Sequence, residues 1–265
     1  MSHFRDKIVW ITGASGGIGE ALAYRFASAG AKLILSARRE KELQRVKDAC
    51  EGDGENIAIL PLDLEATSSF SSKTQAAIEA FGHLDILINN GGISQRSLAS
   101  ETSLEVDRRL MEINYFGTVA LTKALLPHFT SRGQGHIAVV SSLVGKFGTP
   151  YRSAYAASKH ALHGFFDSLR AELYKYPIHI TMLCPGFIHT QVSVNALTAD
   201  GSPLGEMDDA QQQGMDPDTC ARQMLAAIAS KKEEAYMGGK EKYGVLVKRF
   251  IPRLFSRIVR KTKVR

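Results

Sequence analysis

Residues 12–19 read Thr-Gly-Ala-Ser-Gly-Gly-Ile-Gly; they close the apolar run Lys7–Thr12 and open a helical pattern over Gly17–Ala29. A strand that turns through glycines into a helix makes a seat for phosphate. Gly13 permits the tight turn, Gly17 lets the backbone approach a pyrophosphate, and Gly19 lets the helix pack close to the strand. Ser15 and Ile18 stand in the same turn and count with the glycines as cofactor contacts. The spacing is G-x3-G-x-G rather than G-x-G-x-x-G. The letters Gly13-Ala14-Ser15-Gly16-Gly17 also satisfy G-x-S-x-G, the hydrolase nucleophile elbow, but no HGGG-type oxyanion loop accompanies them. No Gly-Lys-Ser/Thr follows, which excludes a P-loop.

Outward from that turn, short Ile/Val/Leu-rich runs alternate with helical ones. Strands are expected at Lys7–Thr12, Lys32–Ser36, Ile57–Pro61, Leu84–Asn89, His136–Ser141, His179–Cys184 and Glu234–Met237. Helices are expected over Gly17–Ala29, Glu40–Cys50, Ser68–Phe81, Leu104–Arg132, Ser153–Tyr174 and Thr219–Ser230. Strands with little polar alternation are buried on both faces. The repeated strand–helix–strand order therefore reads as an α/β, doubly wound parallel sheet with helices on both faces. No repeat or linker divides the chain, so residues 1–240 form one catalytic domain. The polar stretch 190–216 is long for a loop and reads as a substrate lid, and residues 241–265 form a separate tail.

The second strand decides the cofactor. An acidic residue about 20 positions beyond the glycines would bind an adenosine ribose. Here that position reads Ser36-Ala37-Arg38-Arg39, with Glu40 only afterwards. A guanidinium such as Arg38 makes charge-assisted bonds to a 2′-phosphate that a bare hydroxyl cannot match. NADP(H) is favoured over NAD(H), with Arg39 beside Arg38 as a second cation.

Downstream, Ser141-Ser142 ends a strand, and Tyr155-Ala156-Ala157-Ser158-Lys159 opens a long helix. Tyr155 and Lys159 are four apart and share a helical face. An ammonium near a phenol favours the phenolate, so such a tyrosine exchanges a proton with a carbonyl or alcohol oxygen. Ser142 can hydrogen-bond the same oxygen. His160 and His163 lie three apart but have no evident third ligand, so no metal is expected.

Thr12–Gly19, Asn89-Asn90-Gly91-Gly92, Asn114, Ser142, Tyr155-x3-Lys159 and Pro185-Gly186 together resemble the short-chain dehydrogenase/reductase family, over roughly residues 5–240. The resemblance implies a single Rossmann-type domain with a seven-stranded parallel sheet. It also implies hydride transfer with NAD(P)(H), Tyr155 serving as acid/base and Ser142 orienting the substrate oxygen. Lys159 would lower the tyrosine pKa and hold the nicotinamide ribose, and Asn114 would support a proton-relay water. Asp63, with Leu64 beside it, matches the position that meets the adenine. Asn89, Asn90 and Gly91 would line the cofactor, Pro185 and Gly186 its nicotinamide end, and Ile188 and Thr190 its amide. Gly91 stands where the family usually has alanine, and the missing methyl is expected to loosen that turn slightly. Ser193–Ala196 and Thr198–Ser202 are similar to the member-7 subgroup, whose carbonyl substrates are of steroid and retinoid type. The family also implies a homodimer or homotetramer, partly through Leu104–Arg132 and Ser153–Tyr174.

By the same layout Leu143, Val144, Phe147, Tyr151, Phe187 and Val192 fall near the reacting face, with Val144 and Phe187 as the substrate contacts. They favour a hydrophobic ketone, aldehyde or secondary alcohol. A catalytically silent NADP(H)-binding sensor or scaffold is the rival, and its mark would be loss of Ser142, Tyr155 or Lys159. All three are present.

The chain has 265 residues and a net charge of +6, from 33 Lys/Arg against 27 Asp/Glu. Residues 248–265 hold eight of the cations and no acid, leaving the rest of the chain at −2. The body has no basic face for nucleic acid. In the tail, Val247, Phe250, Ile251, Leu254, Phe255, Ile258 and Val259 recur at 3–4-residue steps among the cations, with Pro252 placed to begin a helix. Two readings stand: a helix packed on its own domain or a second subunit, and peripheral contact with an anionic membrane. Cys50, Cys184 and Cys220 are too scattered for a disulfide framework. An apolar run beginning by Lys7 leaves no room for a signal peptide, and no run of about 18 apolar residues occurs. The expected location is cytoplasmic.

Overall fold

Seven strands lie side by side in one parallel sheet: β1 (Ile8–Thr12), β2 (Lys32–Ser36), β3 (Ile57–Ile59), β4 (Ile86–Asn89), β5 (Gly135–Val140), β6 (Ile178–Pro185) and β7 (Glu234–Met237). Their order is β3-β2-β1-β4-β5-β6-β7. The computed structural model describes residues 2–52 and 54–262. Every expected strand is present, with ends moved by one or two residues.

Alternation along each strand sends side chains to two separate cores. Val9, Ile11, Leu33 and Leu35 pack with α1 (Gly17–Ser28), α2 (Glu40–Ala49) and α8 (Pro217–Ala229), where Phe26, Leu43 and Met224 are buried. Ile8, Trp10 and Ile34 pack on the opposite face with α3 (Phe70–Phe81), α5 (Thr118–Arg132) and α6 (Ser153–Glu172), where Phe70, Phe129 and Phe166 are buried. Each such side chain contributes roughly 1.5–3 kcal/mol. The polar atoms within this core are satisfied in series: Trp10 Nε1 donates to Ser36 Oγ at 2.8 Å, and Ser36 Oγ donates to the Leu60 carbonyl at 2.6 Å. Strand order reverses between β1 and β4, and a crevice opens at their carboxyl ends.

The expected single helix over 104–132 is instead α4 (Leu104–Met111), a π-helical turn (Glu112–Gly117) and α5. Two remote contacts shape that turn. The Asn114 side chain accepts from Ile93 N at 2.8 Å and donates to Ile93 O and Ser158 Oγ at 3.0 Å each. Gly117 passes so close to Leu64 that a Cβ there would sit 2.4 Å from the Leu64 carbonyl oxygen.

The expected lid, 190–216, is stitched down rather than free. It contains α7 (Asp209–Gln212), bridges Ile188 to Met215 and Leu197 to Pro203, and pairs Leu197 with Gln95. Leu197 N donates to Ser94 O at 2.8 Å, and Arg96 N donates to Leu197 O at 2.8 Å.

The tail forms α9 (Gly244–Phe250) and α10 (Pro252–Val259), with Pro252 in the first turn as expected. The basic residues of the tail at 263–265 lie outside the described residues. Phe255 is 7% exposed and packs on Phe147, ring centroids 5.0 Å apart, with Leu143 and Val144 beside them. Thus one apolar face of the tail covers its own domain. The other is exposed: Leu246, Phe250, Ile251, Leu254 and Ile258. Among the described residues no helix is long and apolar enough to cross a membrane.

Removing a buried phenyl ring costs about 3 kcal/mol or more. Phe255→Ala is expected to undock α10 while the sheet stays folded, so trypsin should cut between Lys248 and Lys261 at least tenfold faster at unchanged melting temperature. An unchanged cleavage rate would show that other contacts hold the tail.

Candidate active site

The crevice above β1 and β4 is a cleft of about 1050 Å³. Its floor is built by β1 and the turn after it. Gly13 has φ +65°, and a Cβ there would come within 2.8 Å of the Gly91 Cα; Gly17 has φ +57°. These left-handed conformations favour glycine. The turn is held from the neighbouring strand. Asn90 Nδ2 donates to the Thr12 and Gly13 carbonyls at 3.0 and 3.2 Å, and Thr12 Oγ1 accepts from Asn90 N and Gly91 N at 3.0 Å each. No side chain caps the N-terminus of α1, so its first N–H groups are open to an anion.

Gly13, Ser15, Gly17, Ile18, Arg38, Arg39, Asp63, Leu64, Asn90 and Gly91 line this cleft, followed by Ser142, Tyr155, Lys159, Pro185, Gly186, Ile188 and Thr190. Gly19 does not line it. It packs behind the turn, where a Cβ would fall 2.2 Å from the Gly13 carbonyl oxygen. Asn89 is also turned away, donating to Thr122 Oγ1 at 3.0 Å and bracing β4 against α5. Asn114 is buried beside Gly92 and Ser158 rather than on the cleft wall. The Gly91 turn is not loose, because Leu64 Cδ1 lies 2.8 Å from where the missing methyl would be.

At one end of the cleft, Arg45 grips Glu20 with Nη1 and Nη2 at 2.8 and 2.9 Å and takes Glu42 with Nε at 2.9 Å. That contact holds the Glu20 carboxyl below its usual range. Arg38 and Arg39 are exposed nearby with no ion-pair partner among the described residues.

At the other end, α6 presents Tyr155 and Lys159. Gln95 holds the start of this helix, its Oε1 accepting from Ala154 N at 2.9 Å and Tyr155 N at 3.4 Å. Ser142 follows β5; its Oγ donates to the Pro185 carbonyl at 3.3 Å and accepts from Val144 N at 3.3 Å. Lys159 Nζ donates to the Val140 carbonyl at 2.8 Å and lies 5.8 Å from the centroid of the Tyr155 ring. Burial pushes the Lys159 ammonium down to about 8. It also raises the Tyr155 phenol above its ordinary value, opposed by the Arg152 charge, the Ser142 hydroxyl and the Arg96 charge. Arg152 and Arg96 were not marked by the sequence pattern.

Ser142 also lines a second pocket of about 280 Å³. Leu143, Val144, Phe147 and Phe187 wall it, joined by Val247, Phe255, Ile258 and Val259 from the tail. Val192 lines the cofactor cleft instead, and Tyr151 lines neither cavity. The residues missed by sequence reasoning are Gln95, Arg96, Arg152 and Asp208. They are scattered along the chain, and no local spacing links them.

The sequence profile described as short chain dehydrogenase matches residues 7–200. A dehydrogenase/reductase SDR family protein 7-like of Anopheles gambiae is 49% identical over 240 residues, 89% of this chain and 76% of that protein. Human dehydrogenase/reductase SDR family member 7 is 46% identical over 237 residues, 88% of this chain and 70% of that protein. The fold matches a short chain dehydrogenase/reductase from Burkholderia phymatum, solved in complex with NAD, at a TM-score of 0.85 and 23% identity, covering 100% of this chain and 99% of that one. A short chain dehydrogenase from Burkholderia cenocepacia, solved with NADP, gives 0.80 at 22% identity, over 99% and 100% of the two chains. With the glycine turn, the reversed strand order and the Ser142–Tyr155–Lys159 grouping in place, the conclusion is direct: this chain belongs to the short-chain dehydrogenase/reductase family of oxidoreductases.

Proposed function

We propose that the chain is an NADP(H)-dependent reductase that interconverts a hydrophobic ketone or aldehyde and its alcohol, with Tyr155 as acid/base. One observation carries the reading: Ser142, Tyr155 and Lys159 stand where a long, phosphate-suited cleft meets an apolar pocket. The cleft suits a dinucleotide. Gly16 has open space where a Cβ would be, the α1 N–H groups are uncapped, and Asp63 lies on the wall beyond β3. Arg38 and Arg39 would hold a 2′-phosphate, since the acidic groups beside them, Glu20 and Glu42, are already taken by Arg45. When bound, the nicotinamide supplies the hydride that the carbonyl carbon gains, or accepts it in the reverse direction.

The chain's own residues handle the oxygen. Ser142 turns its one hydroxyl hydrogen from the Pro185 carbonyl to the substrate's carbonyl oxygen and fixes its position, and Tyr155 transfers its phenolic proton to that oxygen as the alcohol forms. Arg152 and Arg96 favour the resulting phenolate through their charges. Phe147, Phe187 and Phe255 exclude water from the reacting centre.

Tyr155→Phe is expected to bind NADPH as tightly as the parent and lose at least a thousandfold in kcat with a panel of apolar carbonyls, followed by NADPH absorbance. Retained turnover would refute the acid/base role. Arg38→Ala should weaken NADPH at least tenfold while NADH changes less than twofold, by fluorescence titration; equal losses would remove the 2′-phosphate assignment. The exposed tail face, with Lys248, Arg249, Arg253 and Arg257 around Phe250 and Leu254, suits an anionic bilayer surface. The parent should co-sediment with phosphatidylserine-containing liposomes and Phe250→Glu/Leu254→Glu should not. Equal pelleting of both would refute the membrane role.

A further inference from the structure

Three charged residues from distant parts of the chain meet at the wall of the site. Arg96, Arg152 and Asp208 are 3%, 6% and 3% exposed. Arg96 is held by three hydrogen bonds: Nε donates to Asp208 Oδ2 at 2.6 Å, and Nη1 donates to Ser94 Oγ and Gln95 O at 2.7 Å each. This ties the 190–216 segment to the loop after β4. Arg152 differs. Its Nη2 lies 3.6 Å from the same Asp208 oxygen, beyond hydrogen-bond distance, and neither Nε nor Nη2 makes a hydrogen bond. The guanidinium is held by the Phe187 ring, 5.2 Å from its centroid.

Two guanidinium groups therefore share one carboxylate, which leaves a buried surplus of one positive charge. A buried charge without a counter-ion is costly, and an unfilled donor adds to the cost. Burial and the Arg96 charge push Arg152 down to about 10, which still leaves it protonated at neutral pH. Asp208 Oδ1 also lacks a hydrogen bond, but its charge is already engaged by Arg96. Arg152 lines both the cofactor cleft and the apolar pocket, as does Ser142.

The geometry points to Arg152 as the seat of an acidic head group, a carboxylate or phosphate, on a substrate whose apolar part fills the pocket of Val144, Phe147 and Phe255. This inference rests on the reductase reading and narrows it: the substrate is an acidic hydrophobic carbonyl compound rather than a neutral one. The planar fork of Arg152 meets such oxygens with two donors, and Phe187 holds the fork in place before the ligand arrives. The ligand's charge completes a site that the protein alone leaves at net +1.

The test is calorimetric titration of the NADPH-loaded protein, which has no hydride to take from an alcohol, with decanoate, decyl phosphate and decan-1-ol. Because the cofactor's own phosphates are already in place, a preference for the acids belongs to another site. At least one acid should bind tenfold or more tighter than the alcohol, and the better acid identifies the head group. Arg152→Met should erase that difference, and Arg152→Lys should keep part of it. Equal affinity of acids and alcohol, a preference that survives Arg152→Met, or no binding by any of the three would overturn the proposal. If Arg152→Met fails to fold, the contrast between acids and alcohol in the parent protein decides alone. The measurement involves no turnover, so a failure of the reductase reading, seen as no carbonyl oxidising NADPH, remains distinguishable from a failure of this one.

Discussion

The side chains of Thr12 and Asn90 join the ends of β1 and β4, and everything above the sheet depends on that stitch. Strand order reverses there, so no helix crosses directly over the gap and the carboxyl ends are left open. An open gap between strands would ordinarily expose unsatisfied carbonyls. Asn90 covers two of them, and the Thr12 hydroxyl takes two amides in return. The backbones of Gly13 and Gly91 then approach until no Cβ fits at Gly13. The glycine turn is thus rigid because it is bound from across the crevice, and α1 begins at a fixed place and angle.

The reacting end is arranged by a different economy of polar groups. Tyr155 lies at the start of α6, where helix N–H groups need partners. A glutamine 60 residues earlier supplies them. Lys159 is fixed by a strand carbonyl and Ser142 by another, so both side chains are positioned through main chain of the sheet rather than through a mobile loop. Arg152 stands at the cap of α6 and Arg96 in the loop after β4, and both charges oppose the rise of the Tyr155 phenol. The 190–216 segment is fastened to the second of these through Asp208.

Features carried by local pattern were legible in the sequence; those made by long-range meetings were not. Runs such as Ile8–Thr12 and Lys32–Ser36 announced strands buried on both faces because nearly every side chain in them enters one core or the other. The glycine turn and the Tyr155/Lys159 spacing were legible for the same reason. The π turn at Glu112–Gly117 was not, since it arises from Ile93, Ser158 and Leu64, all far away in the chain. Asn89 was misjudged by one step of strand alternation: it faces α5, and its neighbour Asn90 faces the turn. The looseness expected at Gly91 overlooked Leu64, which fills the space. Arg96 and Asp208, 112 residues apart, form an ion pair that no spacing rule could connect.

Among the described residues the tail helices α9 and α10 wall the apolar pocket and do not line the cleft above β1 and β4. They also lie beyond residue 200, where the match to the family profile ends. On the reductase reading, chemistry and selectivity are divided along the chain. Substitutions at Val247, Phe255, Ile258 and Val259 then reshape what fits beside Ser142 while Tyr155 and Lys159, held by the sheet and by Gln95, stay where they are.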